Sequence, residues 1–312
     1  KPNVLKEYNL QDVRLLKKLD DKLQVTKQKL IEHWICGARL NDYTSHGKID
    51  PFALRAARRM GARLPSKPEK DKDPVDRRND DRGKLKGDYA GGYVFDPEKG
   101  LHKNIHAFDF QSLYPSIIKT FNVSPDSYTG TVRMNKDDDP PIDYIMMPTG
   151  ATFSANELGV IPKIIQSLLD NRDQIRNIEM KKVEKDSKEY MNLHYRQYAF
   201  KVLANSMYGI MGASFPRYYM RELAEGITLT GQHLLKTCWK WLEKYEHHPL
   251  YGDTDSLFVR LKGKVKPEDV AKQIDEFLQK YLKEKFNARE GHLHLKHEAT
   301  YERFILVAKK KY

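Results

Sequence analysis

Between Leu10 and about Trp34, apolar residues recur at Val13, Leu16, Leu19, Leu23, Leu30 and Ile31, mostly three or four positions apart. That spacing lines one face of a helix and predicts one long or two shorter amphipathic helices. The pattern collapses from Pro65 to Asp88, a stretch crowded with Lys, Arg, Asp, Glu and Pro and nearly free of large apolar side chains. It reads as a surface loop or linker. Apolar and aromatic residues return in short runs suited to strands: Tyr89 to Phe95, Ile105 to Phe110, Ser256 to Leu261 and Phe304 to Ala308. Between them, Ile161 to Ile178 and Tyr190 to Gly209 read as two helices joined by the charged stretch Lys181 to Lys188, an antiparallel pair projecting from a sheet. Two more helices follow, Glu225 to Tyr245 with Ile227, Leu234, Leu235, Trp239 and Leu242, and Pro267 to Phe286, which opens on Pro-Glu-Asp. No internal repeat is visible.

Composition narrows the class. A chain of 312 residues with 39% hydrophobic and 11% aromatic residues can bury a core and is long enough for about two domains. Lys and Arg number 55 against 43 acidic residues, a net charge of +12, the balance expected of a protein that meets phosphate backbones. Charge alone leaves nucleic-acid binding at even odds. Cys36 and Cys238 are the only cysteines, without metal-knuckle or disulfide spacing, and fit a reducing, intracellular setting. No apolar run is long enough to span a bilayer and no secretory pattern opens the chain.

Carboxylates bring in chemistry. Asp109 closes the run Ile105-His-Ala-Phe-Asp109, and Pro115 shortly after is expected to turn the chain. Asp253 and Asp255 in Tyr251-Gly-Asp-Thr-Asp-Ser256 would share one side if the backbone were extended. Two like charges so close need cations or hydrogen bonds, and hard oxygen ligands suit Mg²⁺ shared with substrate phosphates. Taken alone, Gly-Asp-Thr-Asp is better read as a tight hairpin turn and Asp109 as a cap or turn residue.

Three motifs in order reverse that reading. Asp109-Phe-Gln-Ser-Leu-Tyr114-Pro-Ser-Ile-Ile, Lys201-Val-Leu-Ala-Asn205-Ser-Met-Tyr208-Gly209 and Tyr251-Gly-Asp-Thr-Asp-Ser resemble the polymerase motifs of family B DNA polymerases. The resemblance extends further. Tyr89-Ala-Gly-Gly92 is similar to the element between exonuclease and polymerase regions, Leu168 to Arg176 to the first fingers helix, Lys309-Lys-Lys-Tyr312 to the basic primer-gripping motif, and Tyr8-Asn-Leu-Gln-Asp12 to the third exonuclease motif. Asn122-Val-Ser-Pro125 and Phe215-Pro-Arg-Tyr-Tyr219 are most similar to replicative polymerases of tailed bacteriophages, which would put the protein in the host cytoplasm.

The resemblance implies an α+β fold: an antiparallel palm sheet flanked by helices, a helical-hairpin fingers subdomain and an N-terminal helical remnant of an exonuclease domain. It divides the chain into the end of that exonuclease domain (1–24), a connecting region with a charged loop (25–88), palm (89–159), fingers (160–213) and palm again (214–312), with no thumb. It further implies template-directed addition of deoxynucleotides to a primer 3′-hydroxyl with two Mg²⁺, Mn²⁺ being able to substitute. Asp109, Asp255 and the Phe110 carbonyl would hold metal, with Asp253 in support and Glu298 either near the primer terminus or a solvated strand-end charge. Arg172, Arg176, Lys201, Asn205, Ser112, Leu113 and Tyr114 would bind the incoming nucleotide, Tyr114 excluding a 2′-hydroxyl. Arg176 stands where the family usually has lysine. Tyr208 and Gly209 would flank the nascent base pair, and Lys310 and Tyr312 would meet the primer. Tyr8 and Asp12 alone cannot hold an exonuclease metal pair, so proofreading and tight duplex binding are expected from a second polypeptide or from segments outside this chain, with a sliding clamp a further partner. Two alternatives remain: a non-catalytic polymerase-like subunit, against which Asp109, Asp253 and Asp255 argue, and an RNA-synthesising or reverse-transcribing enzyme, against which Tyr114 argues.

Overall fold

The computed structural model describes residues 2–42, 44–64, 66, 91–132, 142–185, 187–212 and 217–312. Most of the Pro65 to Asp88 linker, Tyr89, Ala90, Phe215 and Pro216 therefore lie outside the described residues. The chain divides into two units: a helical unit, Lys1–Gly61 with Ser167–Ser206, and a sheet unit, Ala62–Gln166 with Met207–Tyr312.

The helical unit opens with α1 (Pro2–Leu23) and α2 (Val25–Cys36). Of the two readings of the N-terminal periodicity, two helices is the one found. The break falls at Gln24, which is left-handed (φ 53°), and the Asp20 carboxylate accepts from Thr26 N–H at 2.8 Å, capping α2. Helix α3 (Ser45–Arg59) was not expected. Its buried stripe, Ile49, Ala53 and Ala57, repeats every four residues but is too small to register as a strong apolar period. Thr44 Oγ1 caps it by accepting from Gly47 N–H at 3.0 Å. The buried pair Glu32–Lys48 ties α2 to α3, and Lys29 reaches the same carboxylate at 2.9 Å.

Among its described residues the sheet unit supplies seven strands and three helices. In chain order these are β1 (Gly100–Phe110), α4 (Leu113–Thr120), β2 (Tyr128–Thr131), β3 (Tyr144–Met146), β4 (Ala151–Ser154), α7 (Arg221–Lys244), β5 (His248–Asp253), β6 (Ser256–Arg260), α8 (Pro267–Phe286) and β7 (Leu295–Leu306). Between β4 and α7 run α5 (Val160–Gln174) and α6 (Lys188–Gly212), each of which carries the boundary between units within it. The main sheet has the order β5-β6-β1-β7, antiparallel at every pair, and a second small sheet runs β2-β4-β3. The fold is α+β, as the resemblance implied. One face of the main sheet carries a core of Ile105, Ala107, Leu250, Tyr251, Phe258, Phe304 and Leu306.

Several local expectations need correction. Strand β7 begins nine residues before Phe304, because the exposed polar residues Lys296, Glu298, Thr300, Glu302 and Arg303 leave it no apolar period to read. His248 to Asp253 is itself a strand. Gly91 to Phe95 makes only an isolated bridge, Val94 to Asp253, because two glycines favour a strap over a ladder. Pro115 does not turn the chain. The turn is at Ser112 (φ 49°), and Pro115 sits in the first turn of α4, where its missing N–H costs nothing. The first hairpin helix is not α-helical to Ile178: it becomes a π-turn at Ile175–Glu179 and then a 3-10 turn at Met180–Lys182.

Candidate active site

The turn between β5 and β6 is the centre of the sheet-unit site. Asp253 ends β5, Thr254 and Asp255 form a two-residue turn, and Ser256 opens β6. The backbone is not extended here. Thr254 is left-handed (φ 59°), so the two carboxylates are neighbours because the chain folds back, not because side chains alternate. In the ladder Ser256 lies opposite both Asp253 and Asp109, which sets Asp253, Ser256 and Asp109 in a row across three strands. Ser256 Oγ donates to Asp109 Oδ2 at 2.6 Å, and Phe110 N–H donates to the Asp255 carbonyl at 2.9 Å, locking the turn to the end of β1.

Each carboxylate has a different environment. Asp253 is held by its own neighbours: Thr254 Oγ1 donates to Oδ1 (3.0 Å), the buried Tyr251 hydroxyl donates to Oδ2 (3.4 Å), and Lys310 Nζ stands 3.6 Å away. Asp255 is strained electrostatically. Burial, with the charges of Asp253 and Glu298 added, raises its carboxyl above the ordinary value. Glu298 is not at a strand end. The register of β7 slips between Ala107/Ala299 and Phe108/His297, leaving Glu298 as the extra residue of a β-bulge, a device that re-aims a side chain.

A strap holds the turn from outside. Thr254 N–H donates to the Tyr93 carbonyl and Phe95 N–H to the Gly252 carbonyl, both at 2.9 Å, while Gln232 Nε2 donates to the Gly91 carbonyl at 2.6 Å. A Cβ on Gly92 would lie 2.6 Å from Thr254 Oγ1, so the strap closes only over a glycine. The sequence pointed to Gly92 but assigned no role to Thr254, Tyr251 or Ser256; Ser256 could have been found from the pairing of Asp253 across a two-residue turn.

Among the described residues, no group of three His, Cys, Asp or Glu side chains is gathered tightly enough to hold a metal by itself. The donor set still fits a hard divalent cation. Asp109 and Asp255 are oxygen donors from adjoining backbone, and the Asp255 carboxyl, raised first by burial and then by the charges of Asp253 and Glu298, is a group whose ionised form a cation would stabilise. Few protein ligands is the usual state for Mg²⁺ that keeps waters and substrate phosphates.

Tyr114, in the first turn of α4, places its ring 4.5 Å from that of Tyr208 in α6, tilted by 36°. Ser112 is the left-handed residue preceding α4, and Leu113 is buried beneath it. Among the described residues, a Cβ on Gly209 would meet nothing within 4 Å, so no packing among them demands glycine there. Lys310 is left-handed (φ 61°) with its N–H donating to Tyr251 Oη at 2.9 Å, and the Tyr312 ring rests on Phe258 (5.1 Å) and Phe304 (5.6 Å).

The other predicted residues belong to the helical unit. Arg172 Nε donates to Gln197 Oε1 (3.3 Å), tying α5 to α6, and Arg196 meets Glu179 of the π-turn (3.7 Å). Burial and the neighbouring Arg176 lower the Arg172 pKa, and Arg176 itself lies in the π-turn, so it does not follow the α-helical register assumed from sequence. Lys201 and Asn205 are exposed, one turn apart on one face of α6. Tyr8 and Asp12 likewise stand one turn apart in α1, with Tyr8 largely exposed.

A sequence model described as DNA polymerase family B matches residues 35–312. The chain belongs to DNA polymerase family B. A family B relative, the "DNA polymerase" of Pyrococcus glycovorans, is 38% identical over 265 residues, covering 85% of this chain and 31% of that protein. The "DNA polymerase 2" of Aeropyrum pernix is 32% identical over 316 residues, covering all of this chain and 35% of its own length. Among solved structures, the family B DNA polymerase from the hyperthermophilic archaeon Pyrobaculum calidifontis superimposes with a TM-score of 0.66 at 30% identity, covering 99% of this chain and 36% of that one. The chain thus spans about a third of the length of the family B relatives it matches.

Proposed function

We propose that this chain carries the catalytic part of a DNA-directed DNA polymerase that extends a primer 3′-hydroxyl with deoxynucleotides and releases pyrophosphate during DNA replication. The observation that carries the reading is the locked turn beside β1: Asp255 joined to Phe110 through the backbone, Asp109 joined to Ser256, and the Asp255 carboxyl raised by burial and by the neighbouring Asp253 and Glu298. In this reading the sheet unit is the palm and the α5/α6 hairpin the fingers, within the boundaries drawn from the sequence.

Asp109 and Asp255, with the Phe110 carbonyl, would hold two Mg²⁺, or Mn²⁺ in their place. When bound, such ions lower the pKa of the primer hydroxyl and offset the charge of the leaving pyrophosphate. The chain's own residues do the rest. Ser256 and the β1 backbone orient Asp109 and Asp255, while Tyr251, Thr254 and Lys310 hold Asp253 as a supporting charge. Arg172 and Arg176 repel one another without an anion, and with Lys201 and Asn205 they are the groups to bind a triphosphate. Ser112 and Leu113 would line its path. Tyr114 would lie under the deoxyribose, Tyr208 and Gly209 beside the new base pair, and Lys310 and Tyr312 along the primer. Tyr8 and Asp12 would belong to an exonuclease region completed by another segment or polypeptide, and a sliding clamp would add processivity. The likeness to tailed-bacteriophage enzymes rests on Asn122 to Pro125 and Phe215 to Tyr219 alone. Among the described residues no helix is long and apolar enough to cross a membrane.

The test is primer extension with Mg²⁺. Asp109→Asn and Asp255→Asn each abolish incorporation while circular dichroism stays that of the parent, since each deletes a charge and not a core contact. A variant that extends at the parent's rate overturns the assignment.

A further inference from the structure

Away from the carboxylate turn, α7 and α8 enclose a groove of about 370 Å³, lined by His233, Thr237, Lys240, Trp241, Lys244, Tyr245, Phe277 and Tyr281. Its floor is a continuous run of rings. Tyr245 lies 4.3 Å from Trp241, Trp241 6.4 Å from Phe277, Phe277 5.8 Å from Tyr281, and Tyr281 6.0 Å from His233. Tyr245 closes one end with half its surface open to solvent (51%).

The rim is cationic. Lys240 and Lys244 stand four residues apart along α7, a rise of about 6 Å, while Lys236, one turn earlier, has its Nζ over the Tyr93 ring at 4.1 Å. Lys285 joins them from α8, its Nζ 6.0 Å from the Tyr281 ring, and Lys244 Nζ stands 6.0 Å from the Tyr245 ring. None of the described lining residues is acidic. The nearby acids of both helices are engaged elsewhere: Glu243 accepts from Trp239 Nε1, Glu276 pairs with Lys272 and Glu284 with Lys280.

We infer that this groove is a second nucleic-acid site that holds a single-stranded segment, one base stacked on the exposed Tyr245 ring, which the buried Trp241 backs, and the phosphates on Lys240 and Lys244. Flat rings beside a row of cations match a ligand that alternates flat bases with negative charges, and stacking of this kind is sequence-tolerant. Polar edges fit the same ligand. Thr237, Tyr281 and His233 are linked by hydrogen bonds, the His233 Nε2–Tyr281 hydroxyl pair at 2.8 Å, and give the groove a polar edge, whereas a helical peptide would need a groove lined by apolar groups. The site goes beyond the polymerase reading and does not require catalysis.

The test uses the full chain and a labelled oligodeoxythymidine carrying 5-iododeoxyuridine. Ultraviolet crosslinking followed by peptide mapping is expected to mark the segment 237–245. The Lys240→Gln/Lys244→Gln double variant should lower the salt slope of oligonucleotide binding by about 1.4, two single-strand phosphate contacts. Tyr245→Ala should weaken binding about fivefold or more, the loss of one stacked base. Because both substitutions lie at exposed positions, the melting temperature and extension of a saturating primer–template should stay unchanged. Crosslinks confined to other segments, or an unaltered salt slope with unaltered affinity, overturn the inference. Protection of the groove by an acidic peptide but not by the oligonucleotide would make it a peptide dock and overturn it equally.

Discussion

Replacing Gly92 with alanine is expected to disturb the carboxylate turn from a position that carries no reactive group. The added Cβ would stand 2.6 Å from Thr254 Oγ1, 2.8 Å from Cγ2 and 3.1 Å from Cβ. Thr254 cannot step aside cheaply. Its N–H is bound to Tyr93 O, its hydroxyl to Asp253 Oδ1, and its backbone is left-handed, a conformation that costs a β-branched residue about 1–2 kcal/mol already. Overpacking at so rigid a contact costs about 1–3 kcal/mol. Because Thr254 lies between Asp253 and Asp255, relief of the clash moves one or both carboxylates, and a misplacement of about 1 Å costs on the order of 100-fold in rate. Urea unfolding gives the first quantity and single-turnover incorporation the second. Thr254→Gly supplies the control: it removes all three clashing atoms and suits φ 59°, at the loss of one hydrogen bond of about 1 kcal/mol. In that background Gly92→Ala should cost less than about 0.5 kcal/mol, so the double-mutant cycle returns a coupling above about 1 kcal/mol. Additive effects, or a neutral Gly92→Ala in the parent, would refute the reasoning.

Three further outcomes are expected. Without divalent ions Asp255→Asn should stabilise the chain at neutral pH. The raised Asp255 carboxyl is a cost present above its folded-state pKa and lost as pH falls through that value toward 3.8, so the gain should vanish in acid, and Mg²⁺ should raise the parent's melting temperature but not the variant's. Tyr114→Val should lower the preference for deoxy- over ribonucleotides by at least about tenfold in incorporation efficiency, and an unchanged ratio removes the ring from sugar selection. His292 is pushed down to about 4 by burial and by Lys119, Arg289 and His294. Its neutral folded form therefore costs nothing above pH 6.5 and destabilises as pH falls toward 4, by about 1–2 kcal/mol once solvent screening of this half-buried ring is allowed for. His292→Gln should flatten urea midpoints between pH 6.5 and 4, and a parallel loss in both proteins would contradict it.

Local patterns carried much of this protein. The period of apolar residues was enough to place α8 from Pro267 to Phe286, because that helix buries one continuous stripe of Val270, Ile274, Leu278 and Leu282 and opens on proline and two acids; α6, whose buried positions include Leu193, Tyr195, Gln197 and Ala199, has no such single stripe. Three motifs read in order were enough to name the family and to single out Asp109, Asp253 and Asp255. What sequence could not decide depends on residues far apart meeting. Helix α3 stands on a stripe of small residues made worthwhile only by α2 and the buried Glu32–Lys48 pair, and the extent of β7 is set by its partner β1 and not by an apolar period of its own. The same holds for the site. Whether Asp253 and Asp255 lie together by alternation or by a turn, why Gly92 must be glycine, and how a bulge brings Glu298 to bear on Asp255 were decided by pairing among β1, β5, β6 and β7. Hydrogen-bond ladders between distant strands choose register and turn geometry together, and a charge acquires its meaning only once the neighbours that desolvate or repel it are in place.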